Sequence, residues 1–195
     1  MQTLISFMLV SGLLSFNSKT KIVNQHSNTH AMENNNYTST FKVDKDASTT
    51  FKAIKNFRGW WSEEIEGNTE KLGKTFLYHY KDIHLCKLKL VEEIPNVKLV
   101  YLVTDNEFNF IKDKTEWVNT KLIFDISNDD EQTKVTFTHE GLTPLDECFE
   151  ICNDSWANYI QVSLKNLIET GIGNPNAKEG GLKAELVEKW GLSNK

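Results

Sequence analysis

Three cysteines in 195 residues are too few, and too odd a number, for a disulfide framework. Cys148 and Cys152 stand one helical turn apart rather than across a loop, so a reducing compartment, the cytoplasm, is expected. Positive charge is also in short supply: 22 Lys and Arg face 27 Asp and Glu, a formal charge of −5. A phosphate backbone meets net repulsion from such a chain, which argues against a nucleic-acid partner. The apolar run Leu4–Phe16 has 13 residues where a spanning helix needs about 20, so no stable membrane insertion is expected. Several chemical signatures are missing as well. There is no Gly-x-Ser-x-Gly, no Walker loop, no His-Glu-x-x-His and no Cys-x-x-Cys, which sets aside the standard hydrolases, kinases and zinc sites and leaves no cofactor implied.

What the chain does have is packing material. Apolar residues make up 39%, with 11 Phe, five Trp and five Tyr, enough for one real core and one domain. Residues 1–31 look unlike the rest: after Leu4–Phe16 comes a polar stretch, then Met32 and a clean strand pattern. We read Met32 as the true start and residues 1–31 as an upstream extension, with an export signal as the alternative. No basic residue precedes the apolar run and no small-x-small cleavage site follows it, which counts against export.

Along the domain, Thr38–Val43 alternates as a strand, and Asp46 is placed to cap a helix carrying Ala47, Phe51 and Ile54 on one stripe. Phe57-Arg58-Gly59-Trp60-Trp61 predicts a second short helix or a turn packed on the core. Three strands follow, Lys74–Tyr80, Ile83–Glu93 and Val97–Thr104, in an antiparallel meander with turns at Lys81-Asp82 and Pro95-Asn96. Residues 105–116 read as a long loop with Phe108 and Phe110 at its tip. Trp117–Ser127 and Thr133–His139 are the last strands, joined by a hairpin at 128–131. Glu147–Thr170 is the longest helical pattern, free of Pro and Gly and ending at Gly171, with an apolar stripe from Phe149 to Leu167. Residues 176–195 read as linker followed by a short amphipathic piece, Leu182–Trp190.

This order predicts an α+β helix-grip fold: a curved antiparallel sheet wrapped around one long C-terminal helix, with two short helices after the first strand. Several segments also resemble the START-like (SRPBCC) superfamily, in the bacterial branch similar to activators of the ATPase of the ninety-kilodalton heat-shock protein. They are Arg58-Gly59-Trp60-Trp61-Ser62 with Ile65-Glu66-Gly67, Leu90-Val91-Glu92-Glu93-Ile94-Pro95, Trp117-Val118-Asn119-Thr120, and Val135 through Leu142. Ser163-Leu164-Lys165 through Thr170-Gly171, with Gly173-Asn174-Pro175, completes the resemblance, which spans residues 36–175. It implies the fold more firmly than any one function, because helix-grip folds serve carriers, receptors, cyclases and chaperone cofactors alike.

A helix laid across a curved sheet leaves a space between two walls, the usual setting for an apolar pocket with a few polar groups. On the sheet side the candidates are Phe76, Tyr78, Tyr101, Phe124, Phe137 and His139. On the helix side they are Cys152, Trp156, Tyr159 and Ser163. The same rings could fill the space as a tight core, and both outcomes stay open at this point. His139 is expected to be a structural histidine at its strand end, and His79, His84, Cys86, Cys148 and Cys152 have no recognised metal-ligand spacing. The expected function is therefore a domain that binds a small apolar molecule and performs no chemistry on it. A module docking on a heat-shock chaperone is the second reading, implied by the resemblance alone. An enzyme of the cyclase or hydratase type using His139 and a tyrosine is the third.

Overall fold

The computed structural model of the chain describes residues 35–178 and 188–189. The extension read at 1–31 and most of the amphipathic piece at 182–190 lie outside the described residues. Seven strands form one antiparallel sheet in the order β1-β7-β6-β5-β4-β3-β2. They are β1 (Tyr37–Val43), β2 (Ile65–Gly67), β3 (Thr75–Tyr80), β4 (His84–Ile94), β5 (Lys98–Phe108), β6 (Lys121–Asp129) and β7 (Gln132–Glu140). Between β1 and β2 run α1 (Ala47–Lys55) and α2 (Phe57–Trp60). The chain closes with α3 (Phe149–Ala157), a π-helical stretch Asn158–Leu164, and α4 (Lys165–Thr170), together one long helix across the sheet. This is the helix-grip architecture that the element order predicts.

Local chemistry sets the boundaries. Asp46 accepts the amide of Thr49 at 2.9 Å and caps α1, while Gly171 at φ 83° ends α4 in the left-handed region open to glycine. Phe57 and Trp60 are fully buried and sit against Phe124, so α2 exists to carry rings into the core.

Three expectations need correction. The first is β5, which continues four residues past Thr104 to Phe108 and takes the first third of the expected loop into the sheet. Lys87 pairs with Asp105 but Leu88 with Val103, leaving Thr104 as an extra residue. That bulge flips the alternation, so that Asn106 and Phe108 turn inward where Leu99, Tyr101 and Val103 had done so before it. Second, β6 starts at Lys121 rather than at Trp117. Residues 117–120 form a turn with Asn119 at φ 70°, closed by Thr120 N–H donating to the Trp117 carbonyl at 3.0 Å. Third, the C-terminal helix starts at Phe149, not Glu147, and its π-helical stretch widens the repeat. Trp156, Ile160, Leu164 and Ile168 are the buried steps, each four apart, so the last contact passes from the expected Leu167, now only partly buried, to Ile168.

Candidate functional site

The space between helix and sheet is divided. One half is solid: Phe57 meets Phe76 and Tyr101 at ring distances of 4.9 Å each, and Phe124 meets Phe137 at 4.9 Å. All five rings are at most 2% exposed. The other half is a cavity of about 410 Å³, within the usual range for small-molecule sites. It opens to solvent past Ile83, Phe110 and Ile151, which are 38%, 37% and 57% exposed.

The inner wall is aromatic. Trp117 stacks on Trp156 with centroids 5.7 Å apart and planes at 12°, and Trp61 stacks on Tyr78 at 4.1 Å and 13°. Trp156 and Trp61 touch at 5.3 Å, which joins the two stacks into one row. Two of the indole N–H groups are engaged behind this row. Trp156 donates to His139 Nδ1 at 3.1 Å and Trp117 to Cys148 Sγ at 3.3 Å, so these residues offer the cavity their apolar surfaces. Among the described residues no Lys, Arg, Asp or Glu lines the cavity.

Polar groups on the wall are few. His84 Nε2 lies 2.8 Å from Asn106 Oδ1, and Asn106 Nδ2 donates to the Lys114 carbonyl at 2.9 Å. That second bond fixes the amide with its oxygen toward His84, so Nε2 carries the imidazole proton. Burial lowers the His84 pKa to about 3, and the ring is neutral at ordinary pH. Tyr159 accepts from Asn176 Nδ2 at 2.8 Å, and burial raises the pKa values of the Tyr78 and Tyr159 phenols. Asn176 is held by its backbone, donating to the Trp61 carbonyl and accepting from the Glu63 amide, each at 2.9 Å.

Of the ten wall residues expected from sequence, Tyr78, Cys152, Trp156 and Tyr159 line the cavity. Phe76, Tyr101, Phe124 and Phe137 belong to the solid half. His139 lies behind Trp156, fully buried, with Thr120 Oγ1 2.9 Å from its Nε2. Thr120 donates its own proton to the Trp117 carbonyl at 2.6 Å, so His139 is the donor on that side and both its nitrogens are occupied. Its pKa also falls to about 3, chiefly through burial. Ser163 is sealed from the cavity, donating to the Trp60 carbonyl at 2.6 Å and accepting from the Asn174 amide at 2.7 Å. Trp61, His84, Phe108 and Trp117 are wall residues that the sequence pattern does not single out. The first hides in an aromatic cluster and the others flank the bulge and turn that break the strand alternation.

Among the described residues the cysteines and His79 add no reactive centre. The Cys148 thiol is held protonated, first by its hydrogen bond to Cys152 and then by burial. His79, with Nε2 3.4 Å from Glu64, has its pKa lowered by burial. Among the described residues no group of three or more His, Cys, Asp or Glu side chains is placed to hold a metal ion. None of the described helices is long and apolar enough to cross a membrane.

No family model matches the chain, and neither does any curated protein. Solved structures do match. The Aha1 dimer structure from Colwellia psychrerythraea is 22% identical at a TM-score of 0.58, covering 71% of this chain and 98% of that one. A protein from Staphylococcus saprophyticus is 17% identical at a TM-score of 0.53, covering 72% and 96%. DynU16, from the dynemicin biosynthetic locus, is 12% identical at a TM-score of 0.54, covering 78% of this chain and 59% of its own. The chain thus has the START-like fold, and its likeness to Aha1 is one of architecture.

Proposed function

We propose that this protein binds a small apolar molecule in the half-open aromatic cavity and carries out no chemistry on it. The observation that carries this reading is the division of the interior: one half packed solid, the other open and walled by Trp61, Trp117 and Trp156 with no charged group among the described lining residues. A ligand burying about 300 Å² of apolar surface at about 25 cal/mol per Å² gains about 7.5 kcal/mol before immobilisation costs, which puts the affinity near micromolar. The third reading of the sequence, a cyclase or hydratase built on His139, gains no support from a ring whose two nitrogens are both hydrogen-bonded behind the wall. Three buried free thiols suit a reducing, cytoplasmic setting.

The test is titration with N-phenyl-1-naphthylamine, a neutral apolar dye that brightens out of water. One site per chain with a dissociation constant of roughly micromolar order is expected. No saturable brightening would overturn the proposal. A second reading, a cofactor of the ninety-kilodalton heat-shock chaperone, is favoured by the likeness to the Aha1 structure. It would take first place if the protein stimulated that chaperone's ATPase while binding no apolar probe.

A further inference from the structure

A ring nitrogen of a nearly buried histidine on the cavity wall has no partner among the described residues. His84 is 9% exposed, its proton is on Nε2 facing Asn106, and no hydrogen bond reaches Nδ1. Yet Nδ1 is not sealed inside the protein, because the buried side-chain atoms without partners among the described residues are Thr50 Oγ1 and His79 Nδ1. Nδ1 therefore keeps some accessible surface, on a residue that lines the cavity, between the rings of Phe108 at 4.3 Å and Trp117 at 4.8 Å. An acceptor in such surroundings is poorly hydrated, and a bound apolar molecule that covers it without a donor leaves it unsatisfied.

Across Tyr78 lies the complementary group. The Tyr159 oxygen accepts from Asn176 Nδ2 at 2.8 Å, and its own hydroxyl proton can be donated. The wall thus offers an acceptor at His84 and a phenol at Tyr159, both neutral groups among aromatic surfaces, with no cation among the described lining residues to meet an anion.

Building on the ligand-binding reading above, we infer that the cavity selects an uncharged aromatic molecule with a hydroxyl or N–H that donates to His84 Nδ1, and that it rejects carboxylates. Fatty-acid-like anions are disfavoured because their charge would be desolvated with no Lys or Arg among the described lining residues to receive it. Tyr159 then serves an acceptor on the same molecule.

Three probes with one ring system separate the outcomes: naphthalene, 2-naphthol and 2-naphthoate, titrated calorimetrically at pH 7.5. Hydrophobic transfer alone ranks naphthalene above 2-naphthol, so the inference predicts the reverse order. 2-Naphthol should bind about tenfold more tightly than naphthalene, as filling an otherwise unsatisfied buried acceptor implies, and 2-naphthoate more weakly than both. If naphthalene binds as well as 2-naphthol, or 2-naphthoate binds best, this inference fails while the apolar-ligand proposal stands. If none of the three binds, both fail. A second readout needs no variant: in protein labelled with 15N at histidine, the His84 Nδ1 resonance should lie at the unprotonated position and move upfield with 2-naphthol but not with naphthalene. A protonated Nδ1 in the free protein, or no movement with bound 2-naphthol, would equally overturn it.

Discussion

Trp156 and His139 are locked together: the indole N–H meets Nδ1 at 3.1 Å, and the rings cross at 84° with centroids 5.8 Å apart. One face of the site and the core behind it therefore share a residue. Trp156 closes the cavity toward the helix and also supplies the donor that keeps a fully buried imidazole satisfied.

Trp156→Ala should therefore cost about 3–5 kcal/mol of unfolding free energy, the range for deleting a large buried aromatic. Urea denaturation measures it. A loss below about 1 kcal/mol would mean that the indole contributes little packing and that the His139 ring finds another donor.

Acid should unfold the protein early. His84 and His139 titrate near 3 in the fold, against about 6.5 when unfolded, so below neutrality the unfolded chain takes up protons that the fold refuses. Their contribution is fully present above about pH 7.5, declines through the 6.5-to-3 window and is flat below it. Between pH 7.5 and 5.5 each ring should cost about 1.4 kcal/mol, roughly 3 kcal/mol for the pair. Urea midpoints at those two pH values test this, and His139→Gln should lose about half as much. Equal midpoints would show that neither imidazole is held neutral.

The alternation of apolar residues exposes much of this fold to a reader of the sequence. Phe76 and Tyr78 share a face because strands have a period of two, and the Asp46 cap and the Gly171 stop bound their helices by local hydrogen bonding. The site is less legible, for a physical reason. A single extra residue, Thr104, inverts the phase of β5, so Asp105 and Glu107 look like loop while Asn106 and Phe108 are inside. His84 gains its role only because that inversion turns Asn106, the partner of Cys86 in the sheet, inward within reach of its ring. Ser163 misleads in the opposite sense. It shares the helix stripe with Tyr159, but a polar contact to α2 and to Asn174, rather than an open space, occupies its side.

Ser163→Ala should cost about 1–3 kcal/mol, because the Asn174 amide loses its buried acceptor. Amide exchange at Asn174 and Asn176 should quicken ahead of the sheet, and unchanged protection there would contradict the role given to the hydroxyl. Ser163→Trp should prevent folding rather than merely fill a void.

Gly173→Ala tests the same seam from the other side. A Cβ at that position would be driven into the Gly59 carbonyl and against that of Ser163, both backbone atoms that cannot rotate away. A loss of about 1–3 kcal/mol is expected, typical of overpacking, and thermal denaturation would register it. A neutral substitution would show that residues 172–176 do not press on α2 as described.

The central claim is that the open half of the interior is a binding site, and Ser155 gives the most direct test. It is half-buried and lines the cavity from α3, so a tryptophan there can place its ring in the void without displacing the core. The measurement is the N-phenyl-1-naphthylamine titration of the natural chain beside that of Ser155→Trp, with urea midpoints for both. We predict one-to-one binding of roughly micromolar strength by the natural chain, and at least about tenfold weaker binding by a Ser155→Trp protein of unchanged stability. Equal binding by the two proteins, both fully folded, would place the dye elsewhere and contradict the account.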